Sequence, residues 1–457
     1  MRILIKNGLI VNADRSLKAD VLLENDKIIK IEKQLNPDIE TDKTIDAEGC
    51  YVFPGGIDPH VHMHLPSPAG YSSDDFMTGS RAALYGGTTS IIDFVTPKKG
   101  QSLTKAIELR KEEAQNCLTN YSFHVSPVEW RDSIEEEILD CINNEGFKSF
   151  KVYMAYKDSI GLNDDVLFKV MKAVGKAGGM VTAHCELGDD IEQLRNKFAT
   201  ENKLSPKYHP RSRPVKLEAE AVKKAIELAK ETDCPLYVVH VSSKESLKYI
   251  SEAQKNGQIV FAETCPQYLL LDDSKYEGSF EQTAAFVMSP PLRKEEDNMA
   301  LWKAINNGTV KTIGTDHCPF TLKQKQRGKN DFRKIPNGAG GIEHRMSLLF
   351  TYGVLEEKIT LNQFVALTST NAAKIFGMYP AKGIIVEGAD ADIVIWNPEK
   401  ENIISTNTHH QNCDLNIYEG IKTKGEAEYI LLNGRFILLN EPLKNNTTDG
   451  VLLRTNR

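Results

Sequence analysis

No apolar run in this 457-residue chain approaches 18 residues, so no segment has the length to cross a bilayer as a helix. The opening Met1-Arg-Ile-Leu-Ile-Lys6 meets a charge too early for a secretory leader. Long basic runs are absent, and 56 lysines and arginines against 63 aspartates and glutamates leave a net charge of −7. That balance argues against a nucleic-acid partner and favours solubility. The eight cysteines, at 50, 117, 141, 185, 234, 265, 318 and 413, contain no Cys-x-x-Cys pair. Scattered thiols of this kind fit a reducing compartment better than a disulfide frame or a thiolate zinc site. A soluble, cytoplasmic protein with no membrane partner is therefore expected. Internal repeats and low-complexity tracts are also missing.

The length calls for a large core domain with an accessory one. Residues 1–50 read as short apolar runs (Ile3-Leu-Ile5, Val21-Leu-Leu23, Ile28-Ile-Lys-Ile31) punctuated by the turn pairs Asn7-Gly8 and Asn25-Asp26, the pattern of a small antiparallel β unit. The C-terminus repeats it in Gly388-Ala-Asp-Ala-Asp392-Ile-Val-Ile-Trp396 and Tyr429-Ile-Leu-Leu432-Asn-Gly434-Arg-Phe-Ile-Leu-Leu439. One discontinuous β-sandwich built from both termini (1–52 and 381–457) is expected, in preference to two separate appendages. Between them, β-branched runs at 51–60, 89–95, 121–125, 149–155, 180–186, 236–241, 259–264 and 312–316 alternate with helical patterns such as 103–117, 164–177, 217–232 and 243–256. Eight strands separated by helices predict an α/β fold, a (β/α)8 TIM barrel over 53–380. A doubly wound open sheet is the alternative, but no Gly-x-Gly-x-x-Gly turn follows the first strand. Insertions at 187–216 and 265–310 have room for functional loops.

In such a barrel the active site forms at the C-terminal strand ends. Those ends carry His60 and His62, Lys151, His184, His240 and Asp316. A strand repeats every two residues, so His60 and His62 in Pro54-Gly-Gly-Ile-Asp-Pro-His60-Val-His62 are expected on one face, where they can close on one divalent ion such as zinc. Any single histidine is more often a satisfied polar residue; the concentration at strand ends is what favours a metal site. Lys151 is different, since an ammonium has no lone pair for a cation. Its apolar strand, Phe147-Lys-Ser-Phe150-Lys151-Val-Tyr-Met, disfavours the charge. A neutral amine can add carbon dioxide to give a carboxylate-like carbamate, although a strand-end lysine more often pairs with an acid.

The chain resembles the dihydropyrimidinase/D-hydantoinase family of cyclic amidohydrolases. The motifs that carry the likeness are Pro54–His62, Ser149-Phe-Lys151-Val-Tyr-Met-Ala-Tyr156, Ala183-His184-Cys-Glu186, Val239-His240-Val-Ser242, Glu263-Thr-Cys-Pro-Gln-Tyr-Leu269, Ser289-Pro-Pro-Leu-Arg293, Gly314-Thr-Asp316-His-Cys-Pro-Phe320 and Ile335-Pro-Asn337-Gly, in family order from Ile3 to about Phe436. The resemblance implies two zinc ions per subunit, one held by His60, His62 and Asp316 and the other by His184 and His240. It implies that Lys151, as N6-carboxylysine, bridges both ions, and that the enzyme is a homotetramer. A metal-bridging hydroxide would attack the carbonyl of a cyclic ureide or imide, a 5,6-dihydropyrimidine or 5-substituted hydantoin, giving an N-carbamoyl amino acid. Tyr156 would stabilise the oxyanion, and Asp316 would act as general base and then acid. Ser289 and Asn337 would grip the ring's amide edge, largely through backbone groups.

The chain departs from the pattern at His64, where relatives often carry an acid, and at Gly340 and His344. His64 is expected as a pocket wall rather than a further ligand; it also speaks against a dihydroorotase, whose arginine there forks onto a carboxylate. His317 is expected to point away from the ligands, Glu186 to orient one of them, and Cys185 and Cys318 to be packing residues. Tyr153, Phe94 and Leu65 fit either pocket wall or plain core. An allantoinase-like hydrolase shares the ligands and barrel, and non-catalytic dihydropyrimidinase-like scaffold proteins share the fold without the ligands; here all six ligand positions hold competent types.

Overall fold

The structure is a computed structural model that describes residues 1–36, 40–437 and 450–455. The strand end expected at 438–439, and the parts of the 381–457 unit at 438–449 and 456–457, lie outside the described residues.

Eight strands follow one another in chain order: Gly56–Asp58, Thr88–Val95, Asn120–Val125, Ser149–Tyr153, Met180–His184, Leu236–Val238, Val260–Thr264 and Thr312–Ile313. Each pairs in parallel with its predecessor. The first and eighth meet beyond their ends: Val61 bridges His317, and Asp316 N donates to His60 O while His62 N donates to His317 O. The expected (β/α)8 barrel is therefore present. The helix Asp164–Lys176 shows why the intervening segments coil. Leu167, Val170, Met171 and Val174 fall on one buried face, which shields about 1.5–3 kcal/mol of apolar side chain at each site. Asn163 caps its first turn by accepting from Val166 N.

Two further sheets come from the termini. One joins Lys27–Glu32, Asp20–Glu24, Arg2–Lys6 and Lys43–Asp46; the other joins Arg435–Ile437, Lys422–Leu432, Ile393–Ile403, Tyr51–Pro54, Leu9–Val11 and Ser16–Lys18. Ile3, Ile5, Val21 and Leu23 of the first share one apolar core with Val52, Ile393, Ile395 and Leu431 of the second, so both chain ends build a single sandwich. Its N-terminal part is mixed rather than purely antiparallel. Lys43–Asp46 and Tyr51–Pro54 pair in parallel with Arg2–Lys6 and Leu9–Val11, because they are reached by long crossovers instead of tight hairpins.

The run at 51–60 is not one strand. Tyr51–Pro54 belongs to the sandwich and pairs with Ile393–Trp396, whereas Gly56–Asp58 opens the barrel. The break is at Gly55, where a Cβ would lie 2.1 Å from Thr89 Oγ1; only glycine lets the chain pass between the two layers. Among the described residues no helix is long and apolar enough to cross a membrane.

Candidate metal centre

His184 closes the fifth strand and Lys151 sits inside the fourth, while His60, His240 and Asp316 lie two or three residues past their strands. His60 and His62 thus reach one target from just beyond a strand end rather than from within it. Nε2 of His60 and Nε2 of His62 stand 3.2 Å and 3.1 Å from the same Oδ1 of Asp316. Nδ1 of His184 faces Nε2 of His240 at 2.9 Å. Ligand atoms of His60, His240 and Asp316 all fall within 4.8 Å of one another; His62 joins this group through Asp316 and His184 through His240. The Lys151 Nζ lies 4.9 Å from the Phe94 ring centre, and that ring stacks on His62 with centroids 4.5 Å apart. His240 and Asp316 adopt φ of 40° and 54°, and Tyr156 60°. Such left-handed conformations in non-glycine residues cost on the order of 1–3 kcal/mol each and concentrate at functional sites.

Hydrogen bonds behind the imidazoles set which nitrogen is free. Nδ1 of His60 donates to Oε1 of Glu263 at 2.7 Å, which leaves its Nε2 as a lone pair facing the cluster. That Nε2 is buried and lacks a hydrogen-bond partner, as does Nδ1 of His62. Nε2 of His184 donates to Oε2 of Glu186 at 2.9 Å, so its Nδ1 lone pair meets His240. Lone pairs of several imidazoles and a carboxylate oxygen converging in a buried space call for a cation, and second carboxylates that fix ring tautomers are the usual support for one.

The electrostatics agree. Burial, and then the neighbouring His184, push His240 well below the ordinary histidine range; burial also lowers His62 and His184, favouring neutral rings with available lone pairs. Burial opposes ionisation of Asp316, but the neighbouring His60 and His62 outweigh it and hold the carboxyl well below its usual value. For His60 the balance runs the other way: burial lowers it, and Glu263 together with Asp316 more than restores it. Burial brings the Lys151 ammonium down to about 8.

A second group adjoins the cluster. The Tyr156 ring centre lies 5.4 Å from that of His184. The phenol is raised by burial, against the pull of the Arg213 guanidinium and a hydrogen bond from Ser289. Asn337 Nδ2 donates to Ser289 Oγ at 3.0 Å. The structure therefore brings Tyr156, Ser289 and Asn337 together beside His184. His64 turns at φ 49° and stacks flat on Tyr71, centroids 3.9 Å apart. His317 Nε2 donates to Asp74 at 3.0 Å and its Nδ1 accepts from Gly341 N, so it braces the loop rather than the metal ligands. His344 accepts from Asn416 Nδ2 at 2.9 Å. Burial raises the Cys185 and Cys318 thiols far above the ordinary range, as packing residues require.

Several supporting side chains go beyond the sequence reading. Glu263 accepts from His60, from His240 N and from the Tyr237 hydroxyl; Gly314 leaves room for it, since a Cβ there would come within 2.8 Å of its carboxylate. Asp58 accepts from His60 N and Thr315 N, and Asp93 accepts from Met63 N and Arg110. The available signal for Glu263 is a lone charge near the end of an apolar strand, the same signal that marks Lys151.

The amidohydrolase family model matches residues 51–437. A D-hydantoinase from Geobacillus stearothermophilus is 45% identical over 95% of this chain and 92% of its own length. A dihydropyrimidinase from Rattus norvegicus is 41% identical over 95% and 85%. The crystal structure of a dihydropyrimidinase from Brevibacillus agri superposes with a TM-score of 0.97 at 42% identity, covering 99% of this chain and 98% of that one. With barrel, convergent ligands and whole-chain likeness in agreement, this protein belongs to the amidohydrolase family, in its dihydropyrimidinase/D-hydantoinase branch.

Proposed function

We propose that the protein is a zinc-dependent cyclic amidohydrolase that opens a 5,6-dihydropyrimidine or a 5-substituted hydantoin to an N-carbamoyl amino acid. The observation that carries this reading is the convergence of His60, His62, His184, His240 and Asp316 on one buried point beside Lys151. His60, His62 and Asp316 would hold one zinc and His184 and His240 the other, with carboxylated Lys151 between them. Lys151 suits that modification, because an amine lowered to about 8 has a neutral fraction near physiological pH. Its nitrogen forms the bond to carbon dioxide and the displaced proton leaves to solvent. When bound, the two ions supply a nucleophile from water at neutral pH and polarise the scissile carbonyl.

The remaining steps fall to side chains. Asp316, kept ionised by His60 and His62, takes the proton of the attacking water and returns it to the leaving ring nitrogen. Tyr156, kept protonated by burial, donates to the carbonyl oxygen as charge builds there. Ser289 and Asn337, already joined to each other, hold the ring's amide edge. Phe94 and Tyr153 exclude water beside Lys151.

The same proposal covers a homotetramer, which rests on the family likeness alone, and a place in the cytoplasm, supported by eight unpaired cysteines. It also covers the domain division at 52/53 and 380/381, supported by the separate sandwich core that includes Ile385, Ala389 and Ala391. The test is an assay of dihydrouracil, phenylhydantoin and allantoin side by side on zinc-loaded protein. Turnover of either of the first two supports the reading; activity on allantoin alone overturns it.

A further inference from the structure

Lys325 is a lysine buried at the mouth of the barrel, 1% exposed, that forms no ion pair among the described residues. It ends the short helix Leu322–Lys325 that follows the eighth barrel strand. Its three N–H bonds reach three backbone carbonyls: Val287 O at 2.9 Å, Pro336 O at 2.9 Å and Gly338 O at 2.8 Å. Val287 lies two residues before Ser289, and Pro336 and Gly338 flank Asn337. The two segments also meet directly, through Gly338 N donating to Val287 O at 3.0 Å and Asn337 Nδ2 donating to Ser289 Oγ.

Burying an ammonium without a counter-charge is costly, and an apolar side chain would fill the same space more cheaply. Burial pulls the group down to about 7. Three carbonyl dipoles, one for each N–H, act in the opposite sense; a neutral amine could serve only two of them. Gln324, one residue earlier, donates to Tyr71 O at 2.7 Å and so ties the Pro66–Ser67/Gly70–Tyr71 hairpin to the same helix.

We propose that Lys325 is a positioning residue for substrate binding, a cross-brace that sets the Ser289 segment and the Asn337 segment at the separation needed to grip the ring. This rests on the proposed ring-binding role of Ser289 and Asn337. It acts on the peptide backbone of both segments, touching neither the ring nor the metal ligands.

The test uses the zinc-loaded enzyme and the variants K325M, K325R, S289A, N337A and K325M/N337A, with KM, kcat, metal content and melting midpoint read on each. K325M is expected to raise KM about tenfold or more while metal content stays and kcat changes much less. K325R, which keeps the charge but spreads its donors in a plane, is expected to lie between wild type and K325M. In the N337A background K325M is expected to add little, because both changes act on one contact. A lowered midpoint with KM unchanged in K325M and K325R means a purely structural stitch and overturns the proposal. If K325M does not fold, KM of K325R decides in the same way. Unchanged KM in all five variants would overturn the ring-binding reading as well; raised KM in S289A and N337A with normal KM in the Lys325 variants would overturn the cross-brace alone.

Discussion

One oxygen of the Glu263 carboxylate stands 2.7 Å from Nδ1 of His60. The same oxygen takes the backbone N–H of His240 at 3.1 Å. A single buried side chain thereby orients one imidazole and seats the strand end of another.

E263Q is expected to weaken zinc affinity roughly 10–100-fold, the usual effect of removing an orienting carboxylate. Chelator competition on folded protein measures it, with circular dichroism as the check on folding. An unchanged zinc affinity would mean that the Glu263 contact is incidental.

Y156F removes a donor from the side of the cluster next to His184. On the proposed mechanism kcat falls on the order of 10²–10³-fold, with metal content retained and KM moved far less. Loss of metal in Y156F would place the residue in metal retention instead.

His209 supplies a pH test away from the ligands. Burial drives it down to about 3, with the nearby Arg213 charge adding to the effect, and its Nε2 donates to Met288 O at 2.7 Å. Below about 6.5, the ordinary value, the unfolded chain binds a proton that the folded chain refuses. This contribution is complete above 6.5 and lost as pH falls toward 3. H209Q is therefore expected to reduce the slope of unfolding free energy against pH, between about 6 and 4, by about 1.4 kcal/mol per pH unit. Denaturant titrations across that range measure it; identical slopes would contradict it.

Asp392 joins the sandwich to the barrel. It pairs with buried Lys382, takes Asn433 N at 2.7 Å, and accepts from Asn120 Nδ2 at 3.0 Å, the first residue of the third barrel strand. Among the described residues, D392A leaves Lys382 with Asp390 alone as an acidic partner, at 3.1 Å. A loss of about 3–5 kcal/mol is expected in denaturant unfolding, with metal content unchanged in the folded state.

Much of this site is legible from strand grammar. Eight β-branched runs gave the barrel, and a barrel confines chemistry to strand ends, which is where His60, His184, His240 and Asp316 stand. Lys151 stood out as a charge inside an apolar strand. Glu263 carries the same mark, but its role depends on the seventh strand lying beside the sixth, next to His240 and opposite His60, a relation no local pattern contains. Lys325 is harder still: in sequence it is one lysine in the polar stretch Lys323-Gln-Lys-Gln-Arg327, and only the fold buries it between segments 38 and 11 residues away. The split at Gly55 was hidden for a related reason. Tyr51-Val-Phe53 runs through Gly55-Gly56 into Ile57, and the close approach of Thr89 is what makes that glycine pair a break between layers.

The most direct test of the central claim is the metal content of freshly purified protein, measured together with the mass of the Lys151-containing chain before and after acid treatment. The account predicts two zinc ions per chain and an acid-labile increment of one carboxyl group on Lys151. A metal-free protein with an unmodified lysine would contradict it and leave the shared fold as the only likeness to the hydrolases.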